Sequence, residues 1–322
     1  ANIESNQEVS SLHKFGVEGV GLYRTEFLYL TASSLPGERD LYENFKSVVQ
    51  EMGSRPVVIR TLDIGMDKQF GDGLSIDEDN PALGLRGIRL SLANPQLLTD
   101  QAKGILRASL YGNVKILYPM ISSVTEIIQA NIILEEAKNE LGKDQIPFNE
   151  DIEVGAMIET PAAAICIDHI LKEVDFVSIG TNDLIQYLLA VDRINENVAH
   201  LYQPFHPSVL RTLKNIMQSA ENAGKKVSIC GELGGDPMAT MLLLGLGKLD
   251  DLSMEPHSVP KVKKIIRTIR LEEARQLADE VLEMSSPDEI TSFITSEMRV
   301  RFPEDFDRDL SFEEKLNPAK RE

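Results

Sequence analysis

Short apolar runs recur along this chain, each closed by a polar residue and followed by a stretch with helical spacing. Val20–Tyr23, a β-branched run ending at Arg60, Lys115–Tyr118, Glu153–Ile158, Phe176–Ile179, Val227–Ile229 and Leu252–Met254 all read as strands. Between them, Glu38–Met52, Pro95–Ala108, a segment opened by Ser122/Ser123 and running through Leu141, His206–Ala223, Pro237–Leu244 and Val259–Ile269 read as helices. Parallel strands need crossovers of a dozen or more residues, usually helical, so this alternation predicts a parallel α/β sheet. Seven strands are plain, and an eighth would close a (β/α)8 TIM-type barrel. Ala1-Asn2-Ile3 and Leu85–Ile88 compete for that place. A doubly wound open sheet is the alternative, but the sequence has neither a GxGxxG turn nor a GxxxxGK[ST] loop.

The residues that end the strands suggest the chemistry. Arg24, Arg60, Glu159, Asn182-Asp183 and Cys230-Gly231-Glu232 each follow an apolar run directly. In a barrel these ends meet at one face, where barrel enzymes carry their active sites. Loops are polar in any protein, which accounts for one such residue but poorly for the set. Phe176–Arg193 is the densest stretch: an apolar strand turns at Gly180-Thr181, presents Asn182 and Asp183, and continues as a helix toward Arg193. A helix start favours anions, guanidinium forks bind phosphate or carboxylate, and paired carboxylates hold a hard cation, most simply Mg2+. An anion and a divalent metal are therefore expected to meet here. A glycosidase acid–base pair would use the same carboxylates, but the surrounding arginines argue against it. Cys230 is either a small core residue or a functional thiol beside Gly231 and Gly234; Cys166, on a helix near Ile165 and Ile170, reads as structural.

Composition narrows the classes. The chain has 322 residues, with 33 Lys+Arg against 51 Asp+Glu, a net charge of −18. That balance disfavours nucleic acid and acidic membranes as partners. Two cysteines make neither a disulfide framework nor a zinc site, and the five histidines lack metal spacing. With no signal peptide and no apolar run near 18 residues, a cytoplasmic protein without membrane insertion is expected.

The segments GVGLYRTEFLYL, VIRTLDIG, NPALGLRGIRL, GAMIETPAAA, SIGTNDLIQYLLAVDR, LYQPFHPSV and CGELGGDP resemble Enzyme I of the phosphoenolpyruvate:sugar phosphotransferase system. The similarity runs from Ala1 to about Ile269 and more weakly to about Met298. It implies a phosphoenolpyruvate-binding (β/α)8 barrel over residues 1–298, followed by a loosely ordered charged tail, 299–322. It also makes Ala1-Asn2-Ile3 the eighth strand and Leu85–Ile88 a loop leading into a helix. By the same resemblance, Arg24, Arg60 and Arg193 match arginines that hold phosphoenolpyruvate, and Asn182 with the backbone at Asp183 matches a further substrate contact. Glu159 and Asp183 match Mg2+ ligands, Cys230 matches the proton donor that completes pyruvate, and Arg86 matches another active-site arginine.

The implied activity is phosphoenolpyruvate–protein phosphotransfer. A histidine on an N-terminal domain receives the phosphoryl group and passes it to the carrier HPr for sugar uptake, and the enzyme dimerises through the half seen here. No histidine in this chain follows a serine, as the family's phosphorylated histidine does. The expectation is thus a substrate-binding half that does not complete transfer alone. Two rivals share parts of the pattern: the barrel of a pyruvate phosphate dikinase or phosphoenolpyruvate synthase, and an idle regulatory dimerisation module. YRTEFLY and QYLLAVDR favour Enzyme I over the former. The chain departs from the family at Met66, which replaces the second glycine of the usual RTLDIGGDK, and near Lys248, where it carries an extra residue.

Overall fold

The structure is a computed structural model that describes residues 1–32, 34–65 and 78–306. Met66, Lys68, the loop near Gly71-Asp72-Gly73 and the end of the tail lie outside the described residues. Eight strands form one parallel sheet in sequential order. They are β1 (Asn2–Ile3), β2 (Val20–Tyr23), β3 (Val57–Arg60), β4 (Val114–Tyr118), β5 (Glu153–Ile158), β6 (Phe176–Ile179), β7 (Lys226–Ile229) and β8 (Asp251–Leu252). The first strand is the one at Ala1-Asn2-Ile3, and Leu85 to Gly87 leads into a helix, Ile88–Ala93. The sheet curls until its ends meet. The N–H of Asn2 donates to the Met254 carbonyl (2.7 Å), Ser253 Oγ donates to Asn2 Oδ1 (2.7 Å), and Asn2 Nδ2 donates to the Cys230 carbonyl (3.0 Å).

Two apolar layers hold this arrangement. Inside the barrel, Leu22, Leu117, Met157, Phe176 and Cys230 pack together with Val58. The opposite faces of the strands contact the helices in one continuous core. Glu38–Met52 buries Leu41, Phe45, Val48, Val49 and Met52 on one side. Val124–Lys143 starts where Ser123 and Glu126 form a reciprocal capping box. The last long helix among the described residues runs Pro287–Arg301, and Phe302 and Phe306 beyond it are buried.

Register decides what reaches the C-terminal mouth. Ile158 pairs with Ile179 and Ile179 with Ile229, so Glu159, Gly180 and Cys230 leave the sheet at one level. Two local readings need correction. The helix after β6 stops at Leu189, not near Arg193. Ala190 is left-handed (φ 53°), and Gln186 captures the returning chain through its carbonyl and its Oε1, which accept from the N–H groups of Val191 and Arg193. Cys166, read as a structural helix residue, is exposed at the break where the helix Pro161–Ile165 ends and a second short helix, Ile167–Ile170, begins.

Candidate active site

At the C-terminal mouth the strand ends enclose a cavity of about 710 Å3. Arg24, Arg60, Arg86, Glu159, Asn182, Asp183, Arg193 and Cys230 all line it. Every residue singled out from the sequence therefore faces one space. Asp63 and Glu26 also line it, and their roles were not evident from the strand ends alone.

The floor is a ladder of opposite charges. Arg60 Nη2 donates to Glu26 Oε1 (2.9 Å), and Nη1 meets Asp63 Oδ2 (3.0 Å). Arg86 grips Asp63 with two bonds, Nε to Oδ1 (3.1 Å) and Nη2 to Oδ2 (2.9 Å). The same Nη2 reaches Asp183 Oδ2 (3.1 Å). Burial opposes the charge on Arg60 and Arg86, but the adjoining carboxylates outweigh it and raise both pKa values. Burial likewise opposes ionised Asp63, and Arg60 and Arg86 overcome it and lower its pKa. Glu26 enters this ladder from a short helix, Glu26–Leu30, directly after β2, and its Oε1 also accepts from the Asp63 N–H (3.0 Å).

Glu159 is the exception in this floor. It is 1% exposed, and its Oε1 accepts from the Met120 N–H at 2.5 Å. That N–H is aimed by a left-handed Met120 (φ 55°), a conformation non-glycine residues seldom adopt. Burial first, and then Asp63 and Asp183, push the Glu159 carboxyl up to about 8. Asp63, Glu159 and Asp183 bring one carboxylate oxygen each within 4.8 Å of the others. Four carboxylates, counting Glu26, face two guanidiniums here, so the floor is two positive charges short of balance when all are ionised. Hard oxygen donors with that deficit fit a divalent cation such as Mg2+. Both Asp63 oxygens are taken by the arginines, whereas Asp183 gives only Oδ2 to Arg86 and Glu159 pairs with neither, so Glu159 and Asp183 are the pair suited to hold it. Two glycines let these groups approach. A Cβ on Gly180 would lie 2.6 Å from Glu159 Oε2. Gly87, at φ 58°, sets the turn after Arg86, where a Cβ would lie 2.8 Å from Met120 Cβ.

The rim is looser. Arg24 meets Glu4 (3.2 Å) and Glu255 (3.1 Å), both more than half exposed. Asn182 Nδ2 donates to Glu232 Oε1 (2.8 Å) while its Oδ1 accepts from the Glu232 N–H (2.8 Å). Arg193 Nη1 lies 4.0 Å from the same carboxylate. The Nε groups of Arg24 and Arg60 are buried without a partner among the described residues, and such groups call for an acceptor. Cys230 is buried beside these groups, and burial pushes its thiol up to about 11.

Comparison with known proteins agrees with this geometry. A citrate lyase from Burkholderia xenovorans superposes with a TM-score of 0.50 at 14% identity, over 93% of this chain and 90% of that one, a likeness of fold alone. The chain is 46% identical to phosphoenolpyruvate-protein phosphotransferase of Priestia megaterium over 300 residues, 93% of this chain and 52% of that protein. It is 45% identical to the protein of that name from Haemophilus influenzae, over 91% of this chain and 51% of that protein. The chain thus spans about half the length of the relatives it matches. The family described as "PEP-utilising enzyme, PEP-binding domain" matches residues 1–271, and to that family this chain belongs.

Proposed function

We propose that this chain is the phosphoenolpyruvate- and Mg2+-binding half of a phosphoenolpyruvate–protein phosphotransferase, a cytoplasmic enzyme of sugar uptake that dimerises through this domain. The observation that carries the proposal is the convergence of Arg24, Arg60, Arg193, Asn182, Glu159, Asp183 and Cys230 on one cavity at the barrel mouth. The relatives that share 45–46% of its residues carry that enzyme's name.

Each residue then has a task. Arg60 and Arg24 offer their unpartnered Nε–H groups to phosphoryl oxygens, with Arg193 neutralising further charge. Asn182, oriented by its two bonds to Glu232, presents an amide N–H to the substrate. Glu159 and Asp183 hold the cation, which when bound supplies charge neutralisation to the substrate's oxygens. Phosphoryl transfer depends mostly on such positioning and on electrostatic stabilisation. The acceptor is a histidine of the enzyme's N-terminal domain, which passes the phosphoryl group on to HPr. Cys230 keeps its proton at neutral pH, since its pKa lies near 11, and delivers it from Sγ to the methylene carbon of the departing enolate.

The test uses purified components. With Mg2+ and phosphoenolpyruvate, this chain alone leaves HPr unphosphorylated, and transfer in the complete enzyme requires Cys230. The Cys230→Ala enzyme should bind phosphoenolpyruvate nearly normally and turn over at least about a hundredfold more slowly, the usual scale for a lost proton donor. Robust transfer by the isolated chain, or near-normal turnover by the variant, rejects the corresponding part of the proposal.

A further inference from the structure

Asp183, at the cavity wall, and Tyr187, behind it, stand one turn apart on the helix Thr181–Leu189, and both reach Arg86. Asp183 takes Nη2, and the Tyr187 hydroxyl accepts from Nη1 at 3.3 Å. That hydroxyl donates its own proton to the Ala82 carbonyl and lies 3.9 Å from Met120 Sδ. One phenol thus joins three segments: the helix that carries Asp183, the turn Pro81–Leu83 just before Arg86, and Met120, whose N–H holds Glu159. The guanidinium has five N–H donors in a fixed fork. Nε and Nη2 are spent on Asp63 and Asp183, and Tyr187 takes one N–H of Nη1. The remaining Nη1 N–H has no partner among the described residues, and Arg86 lines the cavity. The fork is rigid, so that last donor is aimed by the Asp63 and Asp183 bonds on one side and by the phenol's hold on its twin at Nη1.

We infer that Tyr187 is a positioning residue for substrate binding: its hydroxyl locks the Arg86 guanidinium so that one Nη1 N–H addresses the bound anion. This rests on the phosphoenolpyruvate reading above. Burial keeps the phenol protonated well past neutral pH, so it remains both a donor to Ala82 and an acceptor from Arg86. Phenylalanine at this position would keep the ring packed and delete only the atom that makes both bonds. Tyrosine here is not a ligand of the proposed cation and does not line the cavity, so its effect must pass through Arg86.

A double-mutant cycle tests this, read as phosphoenolpyruvate affinity at saturating Mg2+ by calorimetry on this chain, with thermal melting to confirm the fold of each variant. Tyr187→Phe should weaken binding about tenfold, the scale of one hydrogen bond to a charged group. In an Arg86→Lys background, which keeps the charge but loses the planar fork, adding Tyr187→Phe should change affinity less than about twofold. A merely structural tyrosine would act alike in both backgrounds, and that result overturns the role, as does equal affinity of the unaltered chain and Tyr187→Phe. Absence of binding by the unaltered chain instead overturns the substrate reading, and this role with it.

Discussion

The floor and the rim of the cavity use the same residue types in opposite ways. On the floor, Arg60 is buried and Arg86 mostly covered, their side chains 10% and 15% exposed, and both lie between carboxylates at distances of 2.9 to 3.1 Å. At the rim, Arg24 and Arg193 are about a third exposed and pair with glutamates that are mostly in solvent. Buried ion pairs are costly to break singly, because the partner is left charged and desolvated. Exposed pairs are worth little and are screened by water and salt. The floor is thus a preorganised scaffold held by its own ion pairs. The rim is a set of exchangeable contacts, in which Glu4, Glu232 and Glu255 occupy arginines and an amide that an anionic substrate would claim.

The comparison predicts a gradient of effects from floor to rim. The largest belongs to the proposed cation ligands. Glu159→Gln or Asp183→Asn should lower Mg2+-dependent phosphoenolpyruvate affinity by at least about a hundredfold, as expected when a buried charged partner is lost. An equal loss from Glu232→Gln at the rim would erase the distinction. Next comes stability. Arg60→Ala leaves Glu26 and Asp63 facing each other and should cost about 3 kcal/mol in urea unfolding, whereas Arg24→Ala should cost under about 1 kcal/mol.

A third effect concerns pH. Glu159 has a folded pKa near 8, above the ordinary carboxyl value of 4.5. The native state therefore holds a proton that the unfolded chain releases, and stability from this group falls as pH rises from about 4.5 to about 8. Mg2+ must displace that proton at pH 6 and not at pH 8.5. The rise in melting temperature on adding Mg2+ should accordingly be larger at pH 8.5, and a rise no larger than at pH 6 would show that Glu159 is not a ligand. The smallest effect separates the thiols. Cys166 is exposed, while Cys230 is buried with its pKa near 11. Iodoacetamide at pH 7.5 should label Cys166 first and leave Cys230 largely unmodified in the folded chain.

Much of this was legible in the sequence, and the reasons differ by region. The strands are short, β-branched and bounded by polar residues, so Val20–Tyr23, Glu153–Ile158 and Phe176–Ile179 coincide with the observed β2, β5 and β6. Closure was harder to read, because β1 is two residues long and is held by Asn2 through a side-chain network that no periodicity reveals. Arg24 at the rim and Arg60 on the floor announced themselves by standing at strand ends. Asp63 did not, since it comes three residues after Arg60 and its weight lies in bonds to Arg86, 23 positions away. The N–H of Met120 left no sequence signal at all, because a strained backbone angle aims it. Arg193 was expected at the end of a helix, yet Ala190 and Gln186 turn the chain before it.

One measurement bears most directly on the account: calorimetric titration of this chain with phosphoenolpyruvate, with Mg2+ and with EDTA. Saturable one-site binding is expected with Mg2+, largely lost in EDTA and in the Asp183→Asn chain. Binding of equal strength without the cation, or none with it, would contradict the claim that this barrel mouth is a metal-dependent phosphoenolpyruvate site.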